Sequence, residues 1–349
     1  MRFSACGVWA VYGASYRNCG GGAVKLGRSC LEKISGIAVQ GSCGTRAGRR
    51  VADSRRSALA EWFRLSRPFS LTAAAVPVVF GTALASVDGA FSWGPFVAML
   101  LGSLFIQAAT NMFNEFYDEK RGLDVRGTVG IAGSIVGGRV SARSVLFGAL
   151  FLYVLALVCG IYLISVGGWP ILVLGCLSAL GGYLYSAGPR PIAYTPASEA
   201  AVFLFMGVLI VVIAYAVQGA GFPPHVALAA LPIGGPVAAI LLANNIRDLV
   251  SDLRGGRRTL PIVFGREVGV IVYRLLLLEP YVAVGLLMAF GVVPLTCALV
   301  YPSAFAALRL WGDIARHSTP RRLDPVVKRT AGLHLVFGLL YTAGVLLGG

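Results

Sequence analysis

Two acidic stretches set the organisation of this chain. The first, NEFYDEKRGLD at residues 114–124, follows directly on a long apolar run that begins near Trp93. The second, NNIRDLVSD at residues 244–252, closes another apolar run. Together they hold six of the fifteen acidic residues of the 349-residue chain. Carboxylates concentrated at the ends of apolar segments indicate a site that binds a cation.

The composition of the chain indicates a membrane protein. Its residues are 57% hydrophobic and only 13% charged, whereas a soluble domain carries about a quarter charged residues. Such a chain has too little polar surface to cover a globule in water, so most of its surface must face lipid. The net charge of +15 suits basic loops and anionic head groups, and no nucleic-acid recognition motif accompanies it. We therefore predict the lipid bilayer as a partner and no binding of nucleic acid.

Nine apolar runs are long enough to cross a bilayer, which takes about 20 residues of helix. We predict an all-α, multi-pass membrane bundle of about nine transmembrane helices. The runs are 68–87, 93–113, 144–166, 169–186, 199–218, 225–243, 268–290, 294–310 and 330–347.

The chain divides into three predicted parts. Residues 1–50 are rich in Gly, Ser, Cys and Arg and show no sustained period, which is typical of a transit peptide or of a leader upstream of the true start. We predict an unstructured leader over 1–50, a basic interfacial segment over 51–67 and a membrane domain over 68–349.

The basic residues alternate between the loops. The segments before the first span and after the second, fourth, sixth and eighth spans carry Lys and Arg, whereas the intervening short loops carry none. The positive-inside rule therefore predicts a cytoplasmic amino terminus, in a multi-pass protein of the cell's inner or plasma membrane. Four spans separate the two acidic stretches, and an even number returns the chain to the same face. Both stretches are predicted to lie on the cytoplasmic side.

Within each stretch an amide and a carboxylate recur at a spacing of four residues, which places them on one face of a helix. Both stretches are thus predicted to present oxygen ligands to one shared pocket. Mg²⁺ suits such a pocket because it takes one or two carboxylates together with water and phosphate oxygens. The alternative is that these residues are solvated loop charges or pair with neighbouring arginines. The predicted metal ligands are Asn114, Asp118, Asp124, Asp248 and Asp252.

Basic residues accompany both acidic stretches. A phosphorylated anion bridged by Mg²⁺ needs cations for its remaining charge. We predict that Lys120 and Arg247 bind a diphosphate, with the amides of Asn114 and Asn244 facing the same pocket. The other basic residues of these loops, Arg257 among them, are interpreted as charges that set the topology.

These motifs resemble those of the UbiA superfamily of intramembrane prenyltransferases. The first stretch is similar to the family's first aspartate-rich motif, and its ending at Gly122 and Asp124 resembles the 1,4-dihydroxy-2-naphthoate polyprenyltransferase branch. The second stretch, with its tail at 256–260, resembles that branch's second motif. Glu115 departs from the pattern, because the family usually has Asp there. Further similar stretches are 67–71 with 81–83, 129–136, and 185–189 with Glu199.

The resemblance implies a UbiA-like fold and an Mg²⁺-dependent prenyltransferase. The implied reaction transfers a polyprenyl group from polyprenyl diphosphate to 1,4-dihydroxy-2-naphthoate, with loss of CO₂, giving demethylmenaquinol in menaquinone biosynthesis. Tyr185 and Ser186 match family positions near the reacting carbon and the diphosphate, although an ordinary interfacial Tyr and Ser is the alternative. The residues implied to be catalytic are Asp118, Asp248, Lys120 and Tyr185.

Two other functions stay open at this point. The same fold could prenylate another acceptor, such as 4-hydroxybenzoate, homogentisate, chlorophyllide or haem. A transporter would instead place its carboxylates near the middle of the membrane and show inverted repeats. Here the carboxylates lie at span ends beside basic residues, which favours a diphosphate.

Overall fold

The computed structural model describes residues 58–120, 122, 129–130, 132–186 and 191–349, so the predicted leader lies outside it. All regular secondary structure in these residues is helical. The helices are α1 (Ala58–Leu65), α2 (Thr72–Val87), α3 (Trp93–Lys120), α4 (Ala142–Ser186), α5 (Ser198–Ala220), α6 (Pro224–Arg247), α7 (Leu249–Arg254), α8 (Leu260–Val263), α9 (Arg266–Ala289), α10 (Leu295–Arg316) and α11 (Pro320–Gly348). Two of these helices are not α-helical throughout, since α5 contains π-helical turns at Phe203–Leu209 and Ala216–Ala220 and α10 begins with a 3₁₀ segment, Leu295–Ser303.

Eight helices in the described part of the chain are long and apolar enough to cross a membrane: α2 to α6 and α9 to α11. The first of these spans begins with a single 3₁₀ turn, Pro68–Ser70, that leads into α2. The spans agree with the predicted all-α, multi-pass bundle. This prediction is confirmed.

The helix α4 explains the difference between these eight helices and the predicted count of about nine spans. It joins the predicted runs 144–166 and 169–186 into one segment of 45 residues. At 1.5 Å per residue it would extend about 67 Å, roughly twice the hydrocarbon thickness. Its backbone leaves the helical conformation at Gly168 (φ 70°, ψ −160°), which glycine adopts without a Cβ clash. Pro170 starts the second half, where a missing N–H costs little. The segment therefore contains two helices.

The helix α6 forms the centre of the bundle and is the most buried of the spans. It packs against α5, α9 and α11, and α2 packs against α5 and α11. Large side chains fill the space between them, with Phe80 stacked on Tyr341 at a ring separation of 4.4 Å. Most of α4 faces outward and exposes apolar side chains, as expected for a lipid-facing helix. The two ends of α6 are thereby fixed within the bundle.

The helices α5 and α6 approach each other closely through glycine. A Cβ added to Gly207 of α5 would lie 2.3 Å from the Cα of Gly234 in α6. Small residues at such a crossing allow tight backbone packing, which is a main source of helix association in membranes. The carboxyl-terminal end of α6 carries the second acidic stretch, so this crossing also positions the site.

We predict that Gly207→Ala destabilises the protein by about 1–3 kcal/mol, because the added methyl forces the two backbones apart. Thermal unfolding of the purified protein in detergent, followed by circular dichroism, measures the effect. Gly160→Ala is the matched control, since a Cβ at Gly160 of α4 meets open space. It should be neutral or slightly stabilising. Equal unfolding midpoints for the two variants would contradict the importance of this crossing.

Candidate functional site

The two acidic stretches meet at one end of the bundle. Asp118 lies in the last turn of α3, and Asp252 lies in the short helix α7 that follows α6. The guanidinium of Arg257 joins them, with Nη2 donating to Oδ1 of Asp118 at 3.0 Å and Nη1 donating to Oδ1 of Asp252 at 3.0 Å. Carboxylates that are more than a hundred residues apart in sequence thus converge on one cation.

The carboxyl group of Asp252 is largely buried and lies close to other charged groups. Its pKa is raised to about 6, first because the carboxyl is buried and further because of the nearby carboxylates of Asp248 and Asp118, while the charge of Arg257 opposes the rise. The guanidinium of Arg257 also lies over the ring of Tyr194, 5.0 Å from its centroid. One arginine therefore offsets the repulsion among several acidic groups in a largely buried setting.

Arg247 holds the second stretch in place through carboxylates. Its Nε and Nη2 donate to the two carboxylate oxygens of Asp248 at 2.8 and 2.7 Å, and its Nη1 donates to Oδ1 of Asp324 at 3.1 Å. Lys328 binds the other oxygen of Asp324 at 2.6 Å. Three of the five guanidinium N–H groups are engaged in this way, so Arg247 orients Asp248 and ties α6 to α11.

The loop after α3 covers this guanidinium. A Cβ added to Gly130 would lie 2.2 Å from Cζ of Arg247, and the φ of Gly130 is +85°. Only glycine allows both the left-handed backbone and the close approach. The stretch 129–136, noted in the sequence for its family resemblance, therefore packs on the residue that orients Asp248.

Four of the remaining predicted site residues lie on α3, α4 and α6. Asn114 and Lys120 are exposed on the last turns of α3, and Asn244 donates its amide to the carbonyl oxygen of Ile240 at 3.1 Å. Tyr185, near the end of α4, packs against a buried apolar cluster of α2, α5 and α6. Asp124 and the side chain of Ser186 lie outside what the structure describes.

Glu199 has two hydrogen-bond partners in the structure that the sequence did not show. It is buried at the start of α5, where Asn245 donates to its Oε1 at 2.8 Å and Ser198 donates to its Oε2 at 2.9 Å. Asn245 follows directly on Asn244 in the second acidic stretch. Glu199 thus binds the beginning of α5 to the end of α6, beneath the site.

Glu115 points into the loop after α3. It is fully buried, and its Oε1 accepts hydrogen bonds from the backbone N–H groups of Ser134 and Ile135 at 2.7 and 3.3 Å. The hydroxyl of Ser134 in turn donates to Glu61 of α1 at 2.9 Å. The longer side chain at the position where the family usually has Asp thus anchors a loop.

Glu61 completes this anchor as an ionised group. Its buried carboxylate also accepts from Nε of Arg139 at 3.0 Å. Burial acts against ionisation, but the hydrogen bonds from Arg139 and Ser134 and the charge of Arg139 outweigh it and lower the pKa of Glu61. The loop is therefore held at both neighbouring helices, α1 and α3.

The donor chemistry of the site fits a hard divalent cation. Within the described ranges, no group of three or more His, Cys, Asp or Glu side chains lies close enough together to hold a metal by itself. Mg²⁺ does not require such a cage, because it is usually held by one or two carboxylates with water and phosphate oxygens completing the shell. Asp118 and Asp252 already converge on one positive charge.

Sequence reasoning missed two residues of this network. It interpreted Arg257 as a topology-setting charge, although its place in the tail of the second motif was a signal for a role. It did not single out Asp324, which is the lone carboxylate in the basic segment at the start of α11. An isolated acid among arginines and lysines is the pattern that could have pointed to it.

Comparison with known proteins identifies the family. The model of the UbiA prenyltransferase family matches residues 74–334. The chain belongs to this family. This confirms the resemblance that the two acidic stretches carried.

Known proteins match this UbiA chain over most of its length. It is 36% identical over 285 residues to 1,4-dihydroxy-2-naphthoate octaprenyltransferase of Bacillus subtilis, covering 82% of this chain and 92% of the relative. It is 29% identical over 298 residues to UbiA prenyltransferase domain-containing protein 1 of Homo sapiens, covering 84% and 86%. The predicted likeness to the naphthoate branch is thus confirmed.

A solved structure shares the fold. The UbiA homolog from Archaeoglobus fulgidus bound to DMAPP and Mg²⁺ matches with a TM-score of 0.57 at 18% identity, covering 81% of this chain and 99% of that one. At this identity the likeness establishes the UbiA fold of the bundle.

We predict that Arg257→Gln lowers the stability of the protein by about 1–3 kcal/mol, because it leaves Asp118 and Asp252 without their shared counter-charge. Thermal unfolding in detergent without divalent cations is the measurement. Arg254→Gln serves as the control, since Arg254 is exposed on the neighbouring helix α7. If the two substitutions shift the midpoint equally, the bridge contributes only general positive charge.

We predict that Glu115→Ala frees the loop at 132–140, because two backbone N–H groups lose their acceptor. Hydrogen exchange measured by mass spectrometry should show this segment exchanging about tenfold faster or more. Glu119→Ala removes the same charge from the same end of α3 and should leave the loop protected. Unchanged protection in both variants would mean that other contacts hold the loop.

Proposed function

We propose that this UbiA protein transfers a polyprenyl group from polyprenyl diphosphate to 1,4-dihydroxy-2-naphthoate, with loss of CO₂, and so forms demethylmenaquinol for menaquinone biosynthesis. Asp118 and Asp252 meet at the guanidinium of Arg257, at the end of a lipid-embedded bundle, and this convergence of the two motifs carries the proposal. The 36% identity to a naphthoate octaprenyltransferase of Bacillus subtilis supports the choice of acceptor. The two motifs supply the carboxylates, and the bundle offers an apolar setting for the lipid tail.

Mg²⁺ is the proposed cofactor. Asp118 and Asp252 would hold it, with Asn114, Asp124 and Asp248 as further ligands. When bound, it neutralises negative charge on the leaving diphosphate. The bond from Arg247 to Asp248 presents that carboxylate in a fixed orientation.

Protein cations complete the proposed diphosphate site. Lys120 is exposed at the end of α3, two residues after Asp118 and nearly two turns beyond Asn114. We assign Lys120 to the diphosphate, together with Arg247, Asn244 and Ser186 as the sequence suggested. Arg257 is a further candidate, because its guanidinium lies between the two motifs.

The chemistry requires little of the protein beyond positioning and charge. The allylic C–O bond of the donor breaks and its electron pair leaves with the diphosphate. An electron-rich ring carbon of the acceptor bonds to C1, and the carboxylate of the acceptor leaves as CO₂. The ring of Tyr185, packed at the end of α4, is proposed to face the positive charge that develops at C1.

The proposed orientation places this end of the bundle in the cytoplasm. The basic residues of the loops around both acidic stretches support it through the positive-inside rule. We assign residues 68–349 to one prenyltransferase membrane domain, preceded by the interfacial segment 51–67 and the leader 1–50.

An assay of the purified protein in detergent tests the function. With Mg²⁺, a polyprenyl diphosphate and 1,4-dihydroxy-2-naphthoate, we expect release of diphosphate and a prenylated product by mass spectrometry. Chelation by EDTA should abolish turnover. Prenylation of 4-hydroxybenzoate but not of the naphthoate would refute the acceptor.

Asp118→Asn and Asp252→Asn should each lower turnover roughly 100-fold or more, since a metal clamp contributes several kcal/mol to the transition state. Glu119→Gln is the matched control, because it removes one carboxylate from the same helix end without touching Arg257. Activity within about twofold of the unmodified protein in both Asp variants would rule out the proposed metal site.

A further inference from the structure

One outward face of α10 changes character along its length. Phe305, Leu308, Arg309, Gly312, Asp313 and Arg316 follow one another at helical spacing and line an open cavity of about 540 Å³. The half of this face nearer the middle of the span is apolar, and the half nearer the acidic motifs is charged. A face that meets only lipid tails would be apolar throughout.

The opposite wall of this cavity belongs to α11. Arg329 lines it, and its Nη1 forms an ion pair with Oδ2 of Asp313 on α10 at 2.9 Å. Gly312 lacks a side chain at the floor, and the guanidinium of Arg316 folds back to within 3.6 Å of where its Cβ would stand. The cavity therefore lies between two spans.

The cavity has an excess of positive charge. Asp313 compensates Arg329, but among the described residues neither Arg309 nor Arg316 has an ion-pair or hydrogen-bond partner. Arg309 lies seven residues before the end of α10, about 10 Å deeper in the span than Arg316. An arginine at that depth needs an anionic partner or a path to water, because its charge is costly in hydrocarbon.

We propose that this cavity binds the head group of an anionic phospholipid. Arg309 and Arg316 bind the phosphate through their planar N–H forks, and one acyl chain runs along Phe305 and Leu308 toward the middle of the bilayer. The order of the residues on α10 matches the order of the parts of a phospholipid, with the charged group at the membrane edge and the chain inside. The site lies outside the cluster built around Arg257.

Native mass spectrometry of the delipidated full-length protein tests the site. Phosphatidylglycerol should bind at least tenfold more tightly than phosphatidylcholine. The double variant Arg309→Gln, Arg316→Gln should reduce this preference to about twofold or less. The double variant Arg321→Gln, Arg322→Gln removes the same charge from exposed positions at the start of α11 and should retain the preference.

A second variant tests the shape of the site without changing its charge. Gly312→Leu fills the floor of the cavity and should also abolish the preference for phosphatidylglycerol. Retention of the preference in both Gly312→Leu and the Arg309/Arg316 variant would overturn the proposal. So would an equal loss in the control pair. Displacement of the lipid by millimolar inorganic phosphate or by a short polyprenyl diphosphate would likewise overturn it, since the site would then be a general anion site.

Discussion

A single guanidinium held between carboxylates from two distant parts of the chain fixes the functional end of this protein. Arg257 bonds both Asp118 and Asp252, and without it these acidic groups would repel each other in a partly buried place. The backbone N–H of Arg258 also donates to the carbonyl oxygen of Tyr194 at 2.9 Å. The interaction therefore joins the end of α3, the segment after α6 and the segment before α5.

The surrounding polar groups follow the same physical rule, since a buried charge or backbone group without a partner costs free energy. Arg247 is buried and bonds two carboxylates, and Glu199 is buried and accepts from Asn245 and Ser198. Glu115 takes two backbone N–H groups of the loop after α3. The bonds from Arg247 to Asp324, from Asn245 to Glu199 and from the loop N–H groups to Glu115 connect two helices or a helix and a loop. These contacts hold together the elements that surround the site.

The sequence by itself determined the class of the molecule. In a bilayer only structures that satisfy all their backbone hydrogen bonds internally are stable, so long apolar runs in this chain must be helices. Their number and positions followed from length and hydropathy, and the glycine break at Gly168 fell between two predicted runs. Carboxylates are scarce in this chain, so the two acidic stretches stand out, and their resemblance to known motifs indicated the UbiA family.

Only the tertiary structure decided which side chain meets which. Arg257, interpreted from sequence as a topological charge, bridges the motifs, and Arg247 orients Asp248 and reaches Asp324 in the last helix. Glu115 belongs to the first acidic stretch but turns to the loop. Sequence spacing fixes the face of one helix on which a residue lies. The partner across the gap depends on how neighbouring helices rotate and where loops return, and these follow from packing among segments that are far apart in the chain.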